Sequence, residues 1–203
     1  GEVVVVAGNS TNTEFNVLGG INISENDYNP ERIIVDFDNE SYDAKSGDYY
    51  TGDIVGVMGF GFGNFKLWAK EDTLPQITRV EKPNLVTDIE PTEDKLNVAA
   101  YNVENFSNNV EQTPDEKVEK IAKSFVENMK SPDIITLVEV QDNDGATASN
   151  NSDATESYER LIAAIVVAGG PAYKWTDIAP EYNQDGGQPG GNIRVGYLYN
   201  PGR

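Results

Sequence analysis

The rhythm of apolar and polar positions changes near residue 95. Before it, short runs rich in β-branched and aromatic residues (Val3 to Val6, Arg32 to Phe37, Asp53 to Met58, Phe60 to Trp68) alternate with Asn, Asp and Gly clusters. That is the strand–turn signature of a small barrel or sandwich, so residues 1–82 are expected to be β structure throughout. The stretch GVMGFGFGNFKLW sets Phe60, Phe62 and Phe65 among Gly56, Gly59, Gly61 and Gly63. Glycine inside a strand marks tight coiling, a bulge or a close backbone approach. A dinucleotide fingerprint is excluded, because Asn64 takes the place of the last glycine and no helix pattern follows. In EKPNLVTDIEPTE, Pro83 and Pro91 flank polar residues, and residues 83–94 read as a linker.

Beyond the linker, Leu96, Val98 and Ala100 alternate as a strand. Thr113-Pro114-Asp115-Glu116 then predicts a helix start, with Thr113 as N-cap, Pro114 in the first turn and Glu116 closing a capping box. Val118, Ile121, Ala122, Phe125, Val126 and Met129 share one helical face, and Ser131-Pro132 ends it. Residues 133–140 are nearly all apolar, as in a strand covered on both faces. Strand, helix and strand together form a βαβ unit. A second helix is expected over residues 154–168, with Tyr158, Leu161, Ile162, Ile165 and Val166 as its stripe and Gly169-Gly170 as its stop. A strand over 173–178, a loop over 181–191 and a strand over 193–199 complete the pattern, without internal repeats.

Composition narrows the chemistry. The apolar share of 38% is enough for a core. A formal charge of −19 argues against a basic nucleic-acid clamp, but not against an enzyme that meets phosphate through a divalent cation. With no cysteine there are no disulfides and no thiolate zinc sites, and with no histidine the usual general base near neutral pH is absent. No apolar stretch approaches the length of a membrane span, and Gly1-Glu2 running into Val3 is not a signal peptide. A chain that opens without Met and closes on a strand and turn is expected to be an excised piece of something longer.

In a βαβ unit both strands point their carboxyl ends at one edge, where ligands of α/β sheets bind. Asn102 closes the first strand and Glu139 sits near the end of the second, so the fold should bring them to a common point. Glu139 within ITLVEV is either in water at an edge, paired, or satisfied by a cation such as Mg²⁺. Asn102, Glu104 and Asn105 can each be read as residues satisfying their own turn. Asp142 and Asp144 in QDNDG fail the EF-hand spacing, because Gly145 comes too early, and read mainly as a turn.

Three segments, KLNVAAYNVENF, PDIITLVEVQD and GGNIRVGYLYNPGR, resemble the successive opening motifs of the endonuclease/exonuclease/phosphatase superfamily, the DNase I-like metal hydrolases. The resemblance covers residues 95–203. Upstream, GGINISENDYNPERIIVDF and GDIVGVMGFGFGNFKLW are similar to segments of large secreted bacterial nucleases that carry an OB-like β domain. The resemblance implies a mixed fold: an all-β OB-like domain over 1–82, then the first half of a four-layer αββα sandwich over 95–203. It implies that Asn102 orients phosphate and metal-bound water, that Glu139 is the principal ligand of Mg²⁺ (or Mn²⁺ or Ca²⁺), with Asn102 beside it, and that Asn192 and Arg194 face the phosphodiester. It further implies an extracellular or cell-surface enzyme acting on nucleic acid, with DNA ahead of RNA. A phosphatase of sugar phosphates or phospholipids and a non-enzymatic binding module are the alternatives. The second half of such a fold supplies the missing histidines, so this piece alone is expected to be inactive, and its exposed half-domain face is expected to associate.

Overall fold

The computed structural model of the protein describes residues 1–11, 14–37, 44–81, 85–184 and 187–203. Parts of the expected β region (12–13, 38–43 and 82), the start of the expected linker (83–84) and two positions of the expected 181–191 loop (185–186) lie outside the described residues. The architecture is mixed and mostly sheet, in two compact units, Gly1–Pro83 and Asn84–Arg203.

The first unit contains β1 (Glu2–Val5), β2 (Ile33–Phe37), β3 (Tyr49–Tyr50), β4 (Val57–Gly61), β5 (Asn64–Ala69) and β6 (Ile77–Thr78). One mixed sheet runs β1-β2-β5-β4, with β2 and β5 parallel, and a second sheet pairs β3 with β6. Both are open; among the described residues neither closes into a barrel. Val35, Phe37 and Ala69 are buried and packed by Val3, Val5, Ile54 and Leu74, a small core. On the opposite side of β5, Lys66 is buried and answered by Glu2 and Asp36.

The glycine-rich stretch turns back on itself, so the run from Phe60 to Trp68 is a hairpin rather than one strand. Gly59 lies under the Trp68 indole, where a Cβ would stand 2.9 Å from a ring carbon. The turn is Phe62-Gly63, with φ of 51° and 77°. Two left-handed residues in succession make the mirror-image turn that matches strand twist, for which Asn-Gly is the favoured pair. Phe62 occupies the Asn position almost fully exposed, while Phe60 and Phe65 pack edge to face below it at 5.1 Å.

In the second unit, β7 (Val98–Phe106), α1 (Asp115–Lys123), β8 (Ile134–Val140), α2 (Thr155–Val167), β9 (Lys174–Asp177) and β10 (Arg194–Tyr199) follow in order. The sheet runs β7-β8-β10-β9, with β7 and β8 parallel and the other pairs antiparallel. Both helices pack on one side: Val118, Ile121 and Phe125 meet Tyr158, Leu161 and Ile165 above Val103, Ile135, Leu137 and Leu198. The run at 133–140 is therefore not covered equally on both faces. Ile135 and Leu137 are fully buried, whereas Ile134, Thr136 and Val138 on the other face are half-buried, beside exposed Val98, Tyr197 and Tyr199. Residues 85–90 lie against the end of the first helical segment: Thr87 N–H donates to the Asn128 carbonyl at 2.8 Å, and Asn128 Nδ2 donates to the Leu85 carbonyl at 2.8 Å.

Two helix details differ from expectation. Thr113 is not the N-cap; it is fully buried, and its hydroxyl accepts the Ser107 N–H at 3.0 Å, satisfying a buried backbone donor. Pro114 takes the cap position without a side-chain bond. At the other end the helix widens to a π-type turn over Ser124–Asn128, where the Ser124 hydroxyl donates to the Lys120 carbonyl at 2.9 Å. Such back-bonding by serine competes with the regular ladder.

Replacing Phe62 by Asn removes the left-handed penalty on a bulky residue and is expected to stabilise the protein by about 1 kcal/mol in urea unfolding. Gly196→Ala is expected to do the reverse, because its Cβ would lie 2.0 Å from the Tyr158 hydroxyl and 2.7 Å from a ring carbon. Tyr158 is stacked on Trp175 at 4.4 Å and has nowhere to retreat. A loss of about 1–3 kcal/mol should appear in the same measurement.

Candidate functional site

At the carboxyl edge of the parallel pair, Asn102 stands opposite Val138 and Phe106 opposite Val140. β7 thus advances four residues while β8 advances two, and the excess is taken up as a bulge. Glu104 and Asn105 in the bulge have φ of 54° and 53°, and Glu139 across from them has φ of 68°. Each such turn of a non-glycine residue costs about 1–3 kcal/mol. The strain aims donors at one carboxylate: Asn102 Nδ2 donates to Glu139 Oε1 at 2.6 Å, and Asn105 N–H donates to Oε2 at 3.2 Å.

Sequence separates Asn102 from Glu139 by most of a βαβ unit, and the structure places them in direct contact. Glu104 and Asn105 belong to the bulge inside the strand rather than to a turn beyond it. The Asn102 amide oxygen accepts the Glu104 N–H at 2.7 Å, so its nitrogen is the end committed to Glu139. Lys117 Nζ donates to the Glu104 carbonyl and holds the bulge from α1. Glu139 is half-buried and is bonded by two neutral donors, neither carrying a positive charge. A carboxylate offers about four lone-pair directions, so two directions remain for a ligand.

Asn192 and Arg194 do not join this point. Asn192 is buried; its Nδ2 donates to Asp142 Oδ2 at 2.6 Å and to the Asn151 carbonyl at 2.9 Å, while its oxygen accepts the Asn183 N–H at 2.7 Å. Arg194 turns to the helix side, where Nη1 pairs with Asp177 Oδ2 at 3.2 Å and Nε donates to the Asn192 carbonyl at 3.2 Å. Asn192 holds Asn183 and Gly190 before β10, and Arg194 ties the root of β10 to the end of β9. Asp142 caps its own turn through Asp144 N–H at 2.9 Å, and burial pushes its carboxyl above the usual range despite the Asn192 bond. Burial, reinforced by the Asp177 charge, also pushes the Tyr158 phenol up.

Gln141 joins the two regions and went unrecognised in the sequence, where its only signal is its place two residues after Glu139. It is fully buried, and its Nε2 donates to Asn105 Oδ1 at 3.1 Å and to Gln188 Oε1 at 2.8 Å. Beside the same edge, Tyr101, Asn102, Glu104, Pro114, Lys117 and Lys120 line a cavity of about 370 Å³. Among the described residues, no three carboxylates converge to hold a metal ion. The donor set does fit a hard cation that keeps most of its water, since Mg²⁺ is typically bound by one or two carboxylates plus substrate phosphate.

Because the Asp142 carboxyl titrates higher when folded, it binds a proton more readily in the folded than in the unfolded state. Its contribution is therefore largest below the unfolded carboxylate range and is lost as pH rises through the raised folded value. Asp142→Asn, which cannot ionise, should flatten this part of the stability profile in denaturant titrations run across acidic pH.

Residues 1–79 match a family model described as "Domain of unknown function (DUF8508)". No curated protein and no solved structure matches the chain.

Proposed function

We propose that this chain carries the metal-holding part of a divalent-cation-dependent phosphodiesterase that hydrolyses nucleic acid. The observation that carries the reading is Glu139: a strained carboxylate at the end of two parallel strands, oriented by Asn102 and Asn105 and left with open lone pairs. On this reading the second unit is the leading half of a DNase I-like αββα sandwich and the first unit an OB-like companion. The single sheet with both helices on one face supports the former.

Glu139 would hold the cation, with Asn102 fixing the carboxylate's orientation. When bound, such an ion polarises a phosphate oxygen and offsets the charge that develops on it. The chain's own groups position; they do not activate water. No histidine exists among the 203 residues, and both oxygens of the carboxylate at this point are already engaged by donors. The water-activating base of the complete reaction is therefore assigned to residues outside these 203.

Calorimetric titration with Mg²⁺ tests the reading without relying on turnover. Glu139→Gln should weaken binding by well over tenfold, and Asn102→Ala by about tenfold, in the manner of a residue that orients a ligand. The chain by itself should show no Mg²⁺-dependent cleavage of DNA above background at neutral pH. Unchanged Mg²⁺ affinity in Glu139→Gln would overturn the assignment, and sustained turnover would overturn the claim that the base lies elsewhere.

A further inference from the structure

We infer that the cavity between β7 and α1 is a backbone subsite, in which Lys117 and Lys120 take phosphates of the strand flanking the one at Glu139; this rests on the reading above. Asn102 belongs to both places. Its Nδ2 reaches Glu139 at 2.6 Å, and the same residue lines the cavity wall with Tyr101, Glu104, Pro114, Lys117 and Lys120. A polymer held at Glu139 can thus run along the bulged edge of β7 without crossing the core.

The cations of this subsite are available to a polyanion. Lys120 is 74% exposed and pairs at 2.7 Å with Glu116, itself 78% exposed. Lys117, 25% exposed, pairs at 3.3 Å with the Glu104 carboxylate, which is 82% exposed, and also donates to the Glu104 carbonyl. The Lys120–Glu116 pair, open to water on both sides, is held weakly, so a phosphate oxygen can replace Glu116 at little cost; at Lys117 a phosphate would replace only the Glu104 carboxylate and leave the bond to its carbonyl in place. Each released carboxylate returns to solvent without moving the backbone. The basic residues number only 15 against 34 acidic ones, and two of them face the cavity that opens at Asn102. The amino-terminal end of α1, at Pro114, faces the same space and adds the positive end of its dipole. The ligand class is a phosphodiester chain, met through spaced phosphates by Lys117 and Lys120.

Binding of a short fluorescein-labelled DNA strand to the 203-residue chain, followed by anisotropy in Mg²⁺ over a salt series, tests this. Lys120→Gln should weaken binding by about threefold at low salt and make the log–log salt dependence shallower by about 0.7, the value for one phosphate contact to a single strand. Glu116→Gln should tighten binding by about twofold, because it removes the competing carboxylate. Lys123→Gln, on the same helix but outside the cavity, should match wild type. These opposite signs would not arise from a merely structural role for α1. If Glu139→Gln abolishes the Mg²⁺ dependence while Lys120→Gln and Glu116→Gln superimpose on wild type, the subsite is wrong and the metal reading stands. If neither Mg²⁺ removal nor Glu139→Gln alters binding, or the strand does not bind, the metal reading fails and the subsite falls with it.

Discussion

Glu139 brings a carboxylate to the end of a strand whose neighbouring side chains form the core, and a desolvated charge without donors costs several kcal/mol. The chain meets that demand with backbone and amide groups instead of a cation of its own. Doing so requires β7 to gain residues relative to β8 and three non-glycine residues to turn left-handed. A bulge of this kind survives only where its surroundings hold it. Here Lys117 reaches in from α1, and Gln141 reaches in from the end of β8. The strain of these three residues lies at the edge of the sheet, and the apolar layer of Val103, Leu137 and Val140 beneath it stays intact.

Two polar systems meet at this edge, and burial separates their roles. Asp142, Asn192, Arg194, Asp177 and Tyr158 bond largely to one another and to backbone, mostly out of reach of water. Such a network fixes where the loop before β10 lies but has little freedom to exchange partners with a ligand. Asn102, Glu104 and Glu139 are exposed or half-buried and retain acceptor capacity. Gln141 stands at the boundary, tying the Gln188 loop to Asn105 and through it to the cradle of Glu139.

The elements of the second unit were legible in the sequence because periodicity and stops agree: an apolar stripe from Val118 to Phe125, a continuous run at 134–140, and Gly169 at φ 94° closing α2. The juxtaposition of Asn102 and Glu139 was legible for the same reason, since parallel strands share an edge. What the pattern could not carry was set by hydrogen-bond demand. Thr113 looks like a cap in sequence, yet the buried Ser107 N–H claims it; Asn192 and Arg194 look like ligand-facing residues, yet Asp142 and Asp177 claim them. The bulge does not show in YNVENF because Glu104 has no intrinsic leaning to the left-handed region and takes it only through tertiary bonding, although Asn105 tolerates it. In the first unit, Phe62-Gly63 hid a turn because a phenylalanine stands where asparagine would have announced it.

Charge decides how such a site could meet a polyanion. At a formal −19 the chain repels nucleic acid at long range, but at physiological ionic strength that repulsion is screened beyond about 8 Å. Contact-range groups therefore set the outcome, and the described edge supplies them unevenly: a carboxylate with open lone pairs at Glu139, an exposed, loosely paired ammonium at Lys120, and a partly buried one at Lys117. Without a bound cation the carboxylate would face phosphate as a like charge, so on the proposed reading a phosphodiester would be accepted at Glu139 only with a divalent ion between them. On the proposed reading, the ion that would supply the chemistry would also be the condition for binding. That coupling explains how an acidic chain with few basic residues could still act on an acidic polymer, without the basic groove that the composition excludes.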